Sequence, residues 1–245
     1  MIYDRYAEVY DSSGQIHFSL RMIAYLAELL PCLGFAGTSA CDLACGTGTL
    51  TLSFAQRGWR AWGVDRSAAM LAKAKLKAVE LGLEVDWSQQ DMREFSLPER
   101  VDLVTCCYDS INYLLALTEL EATFRRVAGA LKPGGLLLCD ANTPWFYENA
   151  FAGTFFIEGE GVAMAIRSIY DSQTREAVTD LVGFARRGDL YERFQEVHVQ
   201  RAHSEEEMAA ALAASGLQEL ARYRCFGFDR PDSETPRIMW VARGN

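Results

Sequence analysis

The sequence predicts an α/β protein: a doubly wound, Rossmann-like seven-stranded mixed sheet with an antiparallel β lid inserted late in the chain. Three observations carry this. Short apolar runs alternate with helix-length segments, a glycine-rich turn closes the first run, and residues 154–201 alternate with period two.

The runs 39–44, 60–65, 101–107 and 136–141 are almost wholly apolar, as strands buried on both faces must be. Segment 50–57 follows the first run as a helix. Segment 67–81 follows the second, with Ser67 placed to cap an Ala, Lys and Leu-rich helix. A third helix, 118–131, stops at Lys132-Pro133-Gly134-Gly135, where proline cannot continue it and glycine permits a turn. Right-handed crossovers through these helices make the strands parallel. Residues 83–89 supply a further strand, and 217–226 and 237–242 close the sheet at its C-terminal edge. The alternating segment breaks at 171–175 and 186–189, which predicts three antiparallel strands. Ser204 and Glu207 then form a capping box for a helix over 204–214. The chain thus divides into an α/β domain, 1–153 with 202–245, and a lid, 154–201.

At 245 residues the chain suits one large domain with an insertion. Half of the residues are hydrophobic, enough for a real core. A formal charge of −9 gives no broad positive field for a phosphate backbone, so no nucleic-acid partner is expected. The N-terminal MIYDRYAEVYDSSG lacks the basic and apolar regions of a secretory leader, and no apolar run approaches the roughly 20 residues of a membrane span. The seven cysteines are scattered without CxxC spacing, which predicts reduced thiols, a cytoplasmic location and no metal site. Oligomeric state is left open.

Asp42-Leu43-Ala44-Cys45-Gly46-Thr47-Gly48 ends the first strand and opens a helix. Glycines there let a ligand approach the backbone, and the helix N-terminus favours negative charge. Asp65 ends the next strand near the roughly 20-residue offset at which a carboxylate meets ribose hydroxyls. Gln90-Asp91-Met92 follows the third strand, where a carboxylate can accept from an adenine amino group and a thioether can pack on the ring. Each has a plain alternative: a tight βα turn, an acid at a helix start, a solvated loop. Together they favour a nucleotide-like ligand.

With these elements the chain resembles the class I S-adenosylmethionine-dependent methyltransferases, in particular the small-molecule branch whose first motif looks like DLACGTG. The resemblance also takes in Tyr3-x-x-x-Ala7-x-x-Tyr10-Asp11, Asp109-Ser110-Ile111-Asn112-Tyr113 and the Lys132-Pro133-Gly134-Gly135 turn. It implies S-adenosyl-L-methionine as cofactor and transfer to an N or O atom of a small-molecule acceptor. Asp42, Ala44, Gly46 and Gly48 would shape the methionine end, Asp65 would hold the ribose and Asp91 with Met92 would frame the adenine, with Thr47 and Arg66 as further cofactor-binding residues. Cys107 and Tyr108 would lie near the sulfonium, and Tyr3 and Tyr10 would close over the cofactor.

A nicotinamide dehydrogenase uses the same turn and ribose carboxylate. Against it, Thr51 stands where the third glycine of GxGxxG belongs, and Asp42 would repel a pyrophosphate while attracting an ammonium and a sulfonium. A binder without transfer activity is the other alternative. Neither an Asn-Pro-Pro-Tyr motif nor a proline-cysteine setting for Cys107 marks a base-methylating enzyme.

Among the histidines, His198 is the candidate catalytic residue. Alternation puts Glu192, Phe194, Glu196, His198 and Gln200 on one strand face, which either looks into the cleft or is the solvated face of an edge strand. His17 is a candidate substrate contact, and His203 reads as a loop residue before a helix cap. Trp145, Phe146, Tyr147, Phe155 and Phe156 suggest an aromatic surface near the site.

Overall fold

The computed structural model describes residues 2–245. In chain order it contains α1 (Ile16–Cys32), β1 (Ser39–Leu43), α2 (Thr49–Gln56), β2 (Arg60–Asp65), α3 (Ala68–Leu81), β3 (Asp86–Gln89), β4 (Val101–Cys106) and α4 (Leu117–Ala130). There follow β5 (Leu131–Asn142), the single turn α5 (Pro144–Phe146), β6 (Gly153–Gly159), β7 (Val162–Asp171), β8 (Glu176–Arg187) and β9 (Leu190–Arg201). The chain ends with α6 (Glu205–Ala214), β10 (Leu217–Arg224) and β11 (Arg237–Gly244).

Seven strands form one sheet in the order β10-β11-β5-β4-β1-β2-β3, parallel except where β11 pairs antiparallel with β5 and β10. The order reverses between β1 and β4, so the carboxyl ends of these strands open a crevice of the kind that holds ligands in this architecture. Helices cover both faces. On one side Leu120, Thr123, Phe124, Val127 and Ala130 of α4 recur at helical spacing and bury against the sheet with Met208 and Leu212 of α6. On the other, Met22, Leu26 and Leu29 of α1 pack with Leu50 and Phe54 of α2. Each Leu, Val, Phe or Met among them, fully buried, contributes about 1.5–3 kcal/mol.

Local signals set the ends of elements as the sequence implies. Ser67 caps α3 by accepting from the Met70 N–H at 3.2 Å, and Gly82, at φ +64°, ends it in the left-handed conformation. The capping box of α6 is present, with the Ser204 hydroxyl accepting from the Glu207 N–H and the Glu207 carboxylate from the Ser204 N–H.

Two expectations need correction. Residues 153–201 form four antiparallel strands, β6-β7-β8-β9, rather than three. The missed hairpin turns at Glu160-Gly161, where Gly161 sits at φ +70°. The Lys132–Gly135 stretch is not a turn outside the sheet. It bulges from β5, because Val101 of β4 pairs with Leu131 and Leu103 already pairs with Leu136.

Candidate functional site

A cavity of about 600 Å³ lies at the carboxyl ends of β1, β2 and β4, closed on the far side by the second sheet and the N-terminal segment. The volume is in the range of small-molecule sites.

Its floor is the glycine turn. Ala44 and Gly46 take left-handed conformations, φ +57° and +55°, which costs about 1–2 kcal/mol at the alanine. The geometry is fixed from β2: Asp65 Oδ2 accepts from the Gly46 N–H and Oδ1 from the Ser67 N–H, both at 2.8 Å. Each oxygen retains a lone pair. Burial pushes the Asp65 carboxyl up despite these bonds. A Cβ built on Gly46 meets nothing within 4 Å, so the turn presents bare backbone to open cavity. Gly48 differs: it is not among the lining residues, and a Cβ there would lie 2.6 Å from the Trp87 ring. Trp87 of β3 also covers Gly63, leaving 2.3 Å for a Cβ. These two glycines accommodate an indole, and Gly48, expected to shape the methionine end, stands just off the cavity lining.

Asp42 lines the same floor but is only 2% exposed, with its oxygens accepting from Thr105 Oγ1 at 2.7 Å and Thr51 Oγ1 at 2.8 Å. Burial raises its pKa to about 6, against the lowering pull of these hydroxyls. The folded chain therefore keeps a proton that the unfolded chain has released at its ordinary value of 3.8. Stability from this group is full below about pH 4 and is lost as pH rises through 6, a change of about 3 kcal/mol. Asp42→Asn is expected to flatten the dependence of urea stability on pH between about pH 4 and 7. An unchanged slope would show that Asp42 does not carry it.

Thr47 also lines the cavity, but its hydroxyl donates to Asp11 and accepts from Lys77 Nζ at 3.0 Å, tying the N-terminal segment to the glycine turn. At the β3 side, Arg66, Asp91 and Met92 line the wall. Both Asp91 oxygens are engaged by the Arg93 guanidinium, at 2.8 and 2.7 Å, and Arg66 stands 3.9 Å away. That pairing with Arg93 draws the Asp91 carboxyl below its usual range.

After β4, Cys107 and Tyr108 line the cavity, and Tyr108 and Asp109 occupy consecutive left-handed conformations at φ +63° and +46°. Two such non-glycine residues need outside support. Asp140, at the end of β5, accepts from their N–H groups at 2.6 and 3.1 Å, and Arg237 of β11 pairs with both Asp140 and Asp109. The sequence reading missed Asp140 and Arg237. The signal for Asp140 was present, since it is a charge at the end of an apolar run, as Asp42 and Asp65 are.

The second sheet contributes Ile166, Thr179, Leu181, His198 and Gln200 to the wall. The reading of the His198 face as solvated is contradicted: Glu196, His198 and Gln200 are 6–7% exposed. The N-terminal segment crosses that face, and Glu196 accepts from the N–H groups of Tyr3 (2.6 Å), Arg5 and Tyr6 (3.0 Å each). Burial alone would raise its carboxyl, but His198 and these three donors together hold it below its usual range. Tyr3 and Tyr10 line the cavity as expected, joined by Tyr6 and by Tyr113 of a short turn, Ser110–Tyr113. Tyr113 enters the sequence reading only as the end of the Asp109–Tyr113 motif, without a role. Its hydroxyl lies 3.0 Å from His198 Nδ1 and 2.7 Å from the Tyr3 hydroxyl.

Other candidate residues lie apart from the cavity. His17 is exposed and does not line the cavity. His203 is a loop residue before the Ser204 cap, and it is also a buried brace: Nε2 lies 2.8 Å from the Leu114 carbonyl, and burial beside Arg201 lowers its pKa to about 4. Trp145, Phe146, Tyr147, Phe155 and Phe156 all lie off the cavity; Tyr147 is buried against Tyr170, while Phe155 and Phe156 face solvent. Among the described residues no cluster of metal-ligating side chains is found, and no helix is long and apolar enough to cross a membrane.

Residues 40–135 match a family model described as a methyltransferase domain. A Bacillus subtilis (strain 168) protein provisionally named methyltransferase YqeM is 31% identical over 245 residues, 99% of this chain and 97% of its own. The dTDP-3-amino-3,6-dideoxy-α-D-glucopyranose N,N-dimethyltransferase of Streptomyces fradiae is 31% identical over 220 residues, covering 86% of this chain and 83% of that protein. A solved S-adenosylmethionine-dependent methyltransferase from Clostridium acetobutylicum ATCC 824 superposes with a TM-score of 0.88 at 26% identity, over 100% of each chain.

Proposed function

The chain belongs to the class I S-adenosylmethionine-dependent methyltransferases, and from that premise we propose that it methylates an amine nitrogen of a small polar molecule. The observation that carries the reading is the bare backbone at Gly46 beside Asp65, in a cavity also lined by tyrosine side chains. Bare backbone at Gly46 opening onto the cavity beside the Asp65 carboxylate fits S-adenosylmethionine, the cofactor of this family.

In this reading the ribose hydroxyls take the free lone pairs of Asp65, Met92 packs on the adenine, and the Ala44–Thr47 backbone follows the methionine portion. When bound, the cofactor supplies a sulfonium methyl group: the acceptor lone pair bonds to that carbon as the C–S bond breaks, its electrons stay on sulfur, and the acceptor is left with a proton to lose. The protein's part is alignment and exclusion of water. Residues 154–201 act as the lid, with the N-terminal segment pinned beneath it by Glu196.

Three things favour an amine. The lining carboxylates Asp42, Asp65, Asp91, Asp109 and Glu119 outnumber Arg66 and Arg93, which suits a group that becomes cationic. Tyrosine faces stabilise an alkylammonium by about 0.5–2 kcal/mol. The Streptomyces fradiae relative, whose name specifies an amino sugar, aligns through the second sheet as well as the first. A hydroxyl acceptor is the second reading, favoured by His198, since a hydroxyl must shed its proton to attack.

Asp65→Asn is expected to weaken S-adenosylmethionine binding about 10- to 100-fold by calorimetry, because hydrogen bonds to a charged acceptor are each worth about 1.5–3 kcal/mol. Unchanged affinity would remove Asp65 from the cofactor site. The acceptor class is tested with dTDP-3-amino-3,6-dideoxyglucose as probe. A methylated amine supports the reading, and methylation of a hydroxyl with the amine untouched refutes it.

A further inference from the structure

We propose that Tyr3, Tyr113 and His198, backed by Glu196, form a proton path leading from the methyl acceptor to a buried imidazole. The inference rests on the methyl-transfer reading and assigns that reaction its proton route.

Three separate parts of the chain converge on the path: the N-terminal segment brings Tyr3, the turn after β4 brings Tyr113, and β9 brings His198 and Glu196. The hydroxyls of Tyr3 and Tyr113 are 2.7 Å apart, and Tyr113 Oη is 3.0 Å from His198 Nδ1. The Tyr3 ring also packs edge-on against the imidazole at 4.8 Å. Tyr3, Tyr113 and His198 line the cavity, whereas Glu196 lies behind them, off the wall. The chain of groups therefore has a cavity end and a buried end.

Its direction follows from Glu196. His198 Nε2 is 3.2 Å from Glu196 Oε2, out of line for a full hydrogen bond, and it has no other partner. A carboxylate so close favours the tautomer with its proton on Nε2, which leaves Nδ1 as an acceptor. Tyr113 then donates to Nδ1 and accepts from Tyr3. The Tyr3 oxygen keeps a lone pair for a proton from the acceptor. This also corrects the simplest picture of His198 as a direct base, because neither ring nitrogen is free to meet substrate.

The transfer balances as one proton moved. As the acceptor nitrogen gains its methyl group, its proton bonds to Tyr3 Oη, the Tyr3 proton passes to Tyr113 Oη, and the Tyr113 proton passes to His198 Nδ1. One N–H and two O–H bonds break, and two O–H and one N–H form. No tyrosinate accumulates, in keeping with burial, which holds both phenols well above their ordinary range. The imidazolium rests beside Glu196, as in other carboxylate–histidine pairs. Tyr3 is the catalytic residue of the path, and Tyr113, His198 and Glu196 act through it. That one carboxylate also holds the backbone of Tyr3, Arg5 and Tyr6, so seating the N-terminal segment and completing the path are a single event.

The test is the tautomer of His198, read by ¹⁵N NMR on the full chain without acceptor, so that it stands even if the amine reading fails. We expect Nε2 protonated and Nδ1 hydrogen-bonded, with Tyr113→Phe moving the Nδ1 resonance and leaving the remaining spectrum folded. A proton on Nδ1, or an Nδ1 resonance unmoved in Tyr113→Phe, overturns the path. With the amino-sugar probe, Tyr113→Phe and His198→Gln should each lower kcat about 100-fold with KM for S-adenosylmethionine unchanged, the scale of general base catalysis. The double variant should lose no more than either single one. Losses that multiply would mean two independent roles and would overturn the path as well.

Discussion

Gly46→Val is expected to abolish measurable binding of S-adenosylmethionine while leaving the chain folded. The glycine sits at φ +55°, and its missing side chain opens onto the cavity with nothing within 4 Å. A β-branched side chain there fills the cradle and strains a left-handed backbone that such residues rarely adopt. It also disturbs the Gly46 N–H that Asp65 accepts at 2.8 Å. The loss should exceed 1,000-fold, about 4 kcal/mol, by calorimetry. Because a Cβ there meets no protein atom within 4 Å, circular dichroism should be unchanged, and stability should fall by the left-handed strain, about 1–2 kcal/mol, together with whatever the disturbed Asp65 bond contributes. Gly48→Val is the contrast, since Trp87 would stand 2.6 Å from its Cβ and folding itself should suffer. A folded Gly46→Val protein that binds the cofactor normally would place the cofactor elsewhere.

Arg237→Leu is expected to be the most destabilising single substitution near the site, by about 3–5 kcal/mol in urea titration. The guanidinium pairs with Asp109 and Asp140, all three being largely buried, and it packs 4.7 Å above the Phe18 ring. Its removal leaves two carboxylates close together without a counter-charge. Burial already raises the Asp140 carboxyl, and Arg237 is what pulls it back down. Without the arginine the folded-state pKa climbs further above the unfolded value. The stability contributed by the protonated form is then complete at low pH and lost as pH rises through the new pKa, so the variant's deficit should shrink on acidification. Because Asp140 holds the Tyr108 and Asp109 N–H groups, a folded variant should also show an altered turn after β4. A loss below about 1 kcal/mol would mean that water reaches this cluster and screens it.

The parts of this molecule that were legible in the sequence are those where one local rule decides. Apolar runs at 39–44 and 60–65 could only be buried strands, Ser67 could only cap the helix after it, and Asp65 ends its strand beside the glycine turn as the spacing implied. Tyr3, Tyr10, Asp42, Cys107 and Tyr108 all reach the cavity wall. What sequence did not disclose depends on contacts between distant segments. The face carrying Glu196 and His198 looks polar and solvated in isolation, and it is buried only because the backbone of residues 3–6 lies across it. Arg237 gives no sign of reaching Asp109, 128 positions away, until β11 pairs with β5. Gly48 follows the ligand-binding pattern, and only the fold shows that its missing side chain also makes room for the Trp87 ring.

The central claim is most directly tested by supplying S-adenosylmethionine with a deuterated methyl group, together with a panel of small amines and hydroxylated analogues of matched shape, and locating the label by mass spectrometry and NMR. The account predicts deuterated methyl on amine nitrogen with the parental chain and none with Gly46→Val. Label carried only on oxygen, or transfer undiminished in Gly46→Val, would contradict it.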